Sequence, residues 1–203
     1  MVLRAVGCLL LSAMVAACAD AAPSTPQPRA TVTVTGKATS LPAVTSRPTG
    51  GPASQVRVDA SLLDLLPADV DGVPVEFSGE AAAEVAGDSS VADAEAIAYG
   101  IAVDPEDEQL LIVAVARLRE GVFGDGFFRG WREAYDREVC AQAGGVAAGA
   151  VQAEIDGRNV FIGSCVNGGT TYHVWLEARR SIVSAVSFGD RRLGERLVED
   201  LRE

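Results

Sequence analysis

From about residue 56 onward the chain alternates apolar runs with short polar breaks, and each run has a readable period. Residues 62–66 form a short apolar helix stopped by Pro67, and "DVDGVPVEF" reads as a turn followed by a strand over 73–77. The alanine-rich stretch 80–86 predicts a second short helix. "AIAYGIAV" and "LLIVAVARL" are apolar runs parted by the acidic turn residues 104–109, which together predict a hairpin. The clearest helix begins near Asp125, where Asp125 itself is the expected N-cap and Phe128, Trp131, Tyr135 and Val139 fall on one face. Four strands follow over 151–155, 159–165, 171–177 and 181–188, separated by turns at Asp156-Gly157, at Asn167-Gly168-Gly169 and around 178–180. Short turns make these strands antiparallel neighbours. A last helix starts near Asp190 and carries Leu193, Leu197, Val198 and Leu201 as one apolar stripe.

The sum is an α+β domain over 56–203: an antiparallel sheet of about six or seven strands, with two main helices packed on it and covering a face. In general layout this is similar to secreted and envelope sandwich domains of the PsbP-like and LpqN type, a likeness of architecture carried by no shared motif.

The first 55 residues read differently. An apolar stretch follows Arg4 and runs to Ala17, too short for a permanent span of about 20 residues, and it predicts a signal peptide over 1–17. Its end, Val15-Ala16-Ala17-Cys18, resembles the lipobox of bacterial lipoproteins. That resemblance implies that Cys18 receives a diacylglycerol and becomes the mature N-terminus, anchored to the cell membrane outside the cytoplasm. Two or three acyl chains make such anchoring stable where a single chain is marginal. Residues 18–55 hold most of the nine Pro, many Thr and Ser, and few bulky apolar side chains. Such a segment cannot offset the entropy of ordering, so it is expected to be a disordered tether with a span of ~35 Å. The alternating "TVTVT" at 31–35 is counted with it.

Charge narrows the partners. The chain has 28 acidic and 17 basic residues; removing Asp20 from the acids and Arg4, Arg29, Lys37 and Arg47 from the bases leaves 27 against 13 in the domain, about −14. A field of that sign repels phosphate backbones and anionic head groups, so nucleic acid is excluded as a partner and the membrane is reached through the lipid anchor alone. An envelope protein or a small-molecule ligand remains open.

Candidate chemistry is sparse. With Cys8 in the signal and Cys18 acylated, Cys140 and Cys165 are left as a pair in an oxidising compartment, and a disulfide is expected. A metal site would need companions, but the chain has one histidine and no Cys-x-x-Cys, so neither a metal nor another cofactor is expected. His173 shares a strand face with Trp175, and with Trp131 and Tyr135 on the helix it forms the candidate ligand-binding set; a core-facing stripe is the simpler reading for the helix aromatics, and a hydrogen-bonded or exposed strand histidine for His173. Ser164 lacks a Gly-x-Ser-x-Gly elbow, so a triad is not expected. The acids at 104–108 and Asp69-Val70-Asp71-Gly72 lack the remaining oxygens of a calcium loop, and Gly124-Asp125-Gly126 lacks the third glycine of a phosphate cradle. The leading expectation is an exported, lipid-anchored, non-catalytic binding domain. A carboxylate-based envelope hydrolase and a purely structural envelope protein are the alternatives.

Overall fold

The computed structural model describes residues 55–166 and 168–202. The signal peptide, Cys18, all but the last residue of the tether, and Asn167 of the predicted turn lie outside the described residues.

The order along the chain is β1 (Arg57–Val58), a 3-10 turn (Ala60–Leu65), β2 (Asp69–Val70), β3 (Val73–Pro74), β4 (Glu76–Phe77), α1 (Gly79–Ala86), β5 (Ala94–Asp104) and β6 (Gln109–Leu118). It continues with α2 (Asp125–Gln142), β7 (Ala147–Ile155), β8 (Arg158–Cys165), β9 (Thr170–Leu176), β10 (Ser181–Phe188) and α3 (Leu193–Glu199). Eight strands form the main sheet, in the order β1-β5-β6-β10-β9-β8-β7 with β4 pairing β5 as well; β2 and β3 form a separate ribbon. The class is α+β, as the sequence predicts.

Several expectations need correcting. The sheet has eight strands because β1 and β4, two residues each, are too short to show a period. It is not wholly antiparallel, since β1 runs parallel to β5 with Arg57 opposite Ala96. The strand predicted over 73–77 is split at Val75, whose N–H bonds to the carbonyl of Ala68, so β3 pairs β2 while β4 crosses to β5. Gly124, in extended backbone, caps α2 and Asp125 is its first residue, where its charge still favours the helix dipole. The last helix starts at Leu193, because Asp190 accepts from Gln109 and Arg192 turns left-handed at φ 57°.

Helices cover both faces of the sheet. On one face the 3-10 turn, the β2–β3 ribbon and α3 bury Leu62, Leu66, Val70, Leu193 and Leu197 against Val113, Val115, Tyr172 and Val174. Gly194 lets α3 lie directly on β9, where a Cβ would run into the Tyr172 ring. On the other face α1 and α2 cover Ile97, Ala116, Ala114 and Ile182. With both faces covered, β10 is buried on nearly every residue and β5 and β6 on most of theirs, which is why they read as continuous apolar runs rather than alternating ones. The Cys140 and Cys165 sulfurs stand 2.00 Å apart with Cα atoms 5.3 Å apart, so the expected disulfide ties the last turn of α2 to the end of β8.

Candidate functional site

Register places one row of side chains beneath α2: Tyr99 and Ala114 pair across β5 and β6, Ser184 stands opposite both Ala114 and His173, and His173 pairs with Phe161. Ala114 and Ser184 are small, so α2 can sit close over the middle of this row. Its stripe then drops Trp131 and Tyr135 onto it and brings Asp136 beside His173.

A continuous polar chain results. The Trp131 indole N–H donates to Ser184 Oγ at 3.0 Å, Ser184 Oγ is 2.9 Å from His173 Nδ1, and His173 Nε2 is 2.9 Å from Asp136 Oδ1. An indole nitrogen only donates and a carboxylate only accepts, which sets the direction throughout. Ser184 accepts from Trp131 and donates to Nδ1, while Nε2–H donates to Asp136. Tyr135 meets the His173 ring edge-on, with centroids 5.4 Å apart. Burial lowers the His173 pKa below its ordinary 6.5 against the opposing pull of Asp136, so the imidazole is neutral at pH 7. Burial raises the Asp136 carboxyl most, but the hydrogen bond from His173 together with the influence of Thr171 and the Arg132 charge outweighs it, and the net shift is downward. Gly163 makes room for this: a Cβ there would strike both the Thr171 hydroxyl and the Asp136 carboxylate.

The composition of the chain is that of a serine triad, but it is sealed. His173 is 1% exposed and Ser184 0%. No substrate reaches the hydroxyl, and the chain holds α2 to the sheet.

To one side of α2 a groove of about 1070 Å³ opens between the helix and β7, β8 and β9. Trp175 lines it, stacked on Phe123 with centroids 3.8 Å apart and planes at 7°. The Arg132 guanidinium lies 3.6 Å from the centre of the Phe161 ring and 5.1 Å from that of Phe128, and its Nε is buried with no hydrogen-bond partner. Arg129 and Arg179 also line the groove, as do Asp125 and Glu177. To the other side of α2, hollows of about 550 and 320 Å³ share Val85, Tyr99, Tyr135 and Glu138 and form one trough between α1 and α2. Its floor is apolar and its charged lining residues, Glu84, Asp88 and Glu138, are all acidic. Burial, then Glu138, pushes the Tyr99 hydroxyl up to about 12. Burial likewise raises Tyr135 well above its usual value, and its hydroxyl has no partner among the described residues. The helix thus divides one face of the sheet into an arginine side and an acidic side.

Of the four aromatic and imidazole candidates, the structure brings Trp131, Tyr135 and His173 together and leaves Trp175 apart in the arginine groove. Asp136, Ser184 and the three groove arginines were missed from the sequence. Two signals were available: Arg129, Arg132 and Asp136 fall at i, i+3 and i+7, a polar stripe beside the aromatic one, and Ser184 interrupts the apolar run from Ile182 to Val186.

The acidic turn residues have local partners. Arg191 pairs with Asp71 at 2.8 Å and Asp104 at 2.9 Å, and Asp104 Oδ1 accepts from the Glu106 N–H. Among the described residues no group of three His, Cys, Asp or Glu is placed to hold a metal ion. No protein-family model, curated protein or solved structure matches this chain, so the likeness of layout drawn from the sequence has no counterpart there.

Proposed function

We propose that the chain is an exported bacterial lipoprotein, anchored to the cell membrane through Cys18, whose folded domain binds a ligand in the cell envelope without catalysing a reaction. The observation that carries the binding reading is the contrast between the sealed Asp136–His173–Ser184 chain and the open groove beside it. Groups arranged for nucleophilic chemistry are withheld from solvent, while a concavity of about 1070 Å³, within an order of magnitude of small-molecule sites generally, is lined by aromatic rings and guanidinium groups. The clefts favour this reading over a purely structural role, which calls for a flat interaction face. A second reading, a carboxylate-based envelope hydrolase, is favoured by one observation: Asp125 and Glu177 both line that groove. It requires a turnover that Asp125→Asn or Glu177→Gln removes.

The anchoring part is tested by Cys18→Ser and fractionation in a cell that processes lipoproteins. The parent is expected in the membrane fraction with an acylated N-terminus, and the variant is expected to leave that fraction. Identical partitioning of the two, or retention of both inside the cell with Cys140 and Cys165 reduced, contradicts it.

A further inference from the structure

The domain is strongly acidic overall, yet Arg129, Arg132 and Arg179 line one groove with no carboxylate bridged to them within 4.0 Å. Among the described residues Arg129, Arg132 and Arg179 of the groove lining have no ion-pair partner within 4.0 Å, while Arg158, the fourth arginine that lines it, pairs with Asp156. Arg129 and Arg132, three residues apart on α2, also repel each other: burial lowers the Arg132 pKa first, Asp136 and Glu133 pull it back up, and the charge of Arg129 pushes it down. An anion placed between them relieves that repulsion.

The walls define the rest of the ligand. The Arg132 guanidinium carbon sits over the Phe161 ring, 3.6 Å from its centre, and this cation–π contact restrains a planar fork suited to two-point contact with a carboxylate or phosphate. The Phe123–Trp175 stack offers a flat apolar surface within the same groove. The net charge of about −14 argues against a multiply charged polymer or an anionic bilayer surface, which the whole domain would repel. A small molecule with one acidic group escapes most of that repulsion and recovers it locally.

We infer that this groove, resting on the binding function proposed above, takes a small soluble acid: one carboxylate or phosphate held by Arg129, Arg132 and Arg179, joined to a flat apolar ring that lies on Trp175 and its neighbours. Neither half of such a ligand suffices alone, since the charge gains its fork only when the ring fixes its position.

The test is calorimetric titration of the purified full chain with 1-naphthyl phosphate, with inorganic phosphate and 1-naphthol as its two halves. One equivalent of 1-naphthyl phosphate is expected to bind, and each half to bind about tenfold or more weakly. The double variant Arg129→Gln/Arg179→Gln, at exposed positions that carry no packing, is expected to weaken 1-naphthyl phosphate by about tenfold or more and to leave 1-naphthol unchanged. Arg132→Gln serves as a further variant, with the far-ultraviolet spectrum reporting whether α2 keeps its fold. Absence of binding at millimolar probe, or equal affinity in parent and double variant, overturns the inference. If the probe fails while protein drawn from its own envelope still carries an adduct, only this ligand chemistry falls; if no adduct is found either, the binding function falls with it.

Discussion

His173 is the one histidine of the chain, and its burial makes it report on stability. In the folded protein its pKa lies below the ordinary 6.5 because the site disfavours the imidazolium, so the unfolded chain takes up a proton that the folded chain does not. The stabilisation from a neutral His173 is therefore present above pH 6.5 and is lost as pH falls through the lowered folded value. Asp136, whose folded pKa is also lowered, adds a second loss below its ordinary 3.8. Urea unfolding at steps from pH 8 to pH 4.5 is expected to show stability falling once pH drops below about 6.5. His173→Gln is expected to be less stable at pH 8 by about 1–3 kcal/mol and to lose most of that slope, since Ser184 and Asp136 forfeit a partner. A parent whose stability is flat or rises toward pH 5, or a variant with the same slope as the parent, contradicts this account of the site. At this scale the sequence was only half legible. The aromatic stripe of α2 was plain from its spacing, but the partners of His173 come from an element 37 residues before it and a strand 11 residues after it, a pairing that no local pattern encodes.

The elements themselves were better marked. Hairpins with short turns, the 18-residue helix and the apolar stripe of α3 all follow from local period and turn chemistry, although α3 starts three residues later than expected and ends before Leu201. What was lost is what depends on tertiary context: β1 and β4 exist because β5 offers an edge to each, and the burial of β5, β6 and β10 on both faces was not distinguished from burial on one. The disulfide belongs to this scale, since it fixes how far α2 can swing away from β8. Crossing 25 residues, it removes chain entropy from the unfolded state worth about 3 kcal/mol. The double replacement Cys140→Ala/Cys165→Ala is expected to lower unfolding free energy in urea by roughly that amount. It is also expected to expose the groove-side face of α2 to faster amide exchange than α3, which packs on the opposite face. Loss of less than about 0.5 kcal/mol, or equal acceleration of both helices, goes against this role.

At the scale of the molecule, charge and shape are separated by one helix. The domain bears about −14, yet Arg129 and Arg132 of α2, with Arg179 after β9, line one flank of that helix, while Glu84, Asp88 and Glu138 line the apolar trough on the other. The groove beside α2 is assembled from α2, β7, β8 and β9, with residues scattered over more than 50 positions, so no local motif marks it. The most direct measurement is native mass spectrometry of the full chain extracted from its own envelope, followed by the same measurement after denaturation. A binding function predicts a mass excess that is present in the native spectrum and released on unfolding, leaving an acylated polypeptide that begins at Cys18. A native mass equal to that of the denatured chain, with Cys18 unmodified, would contradict it.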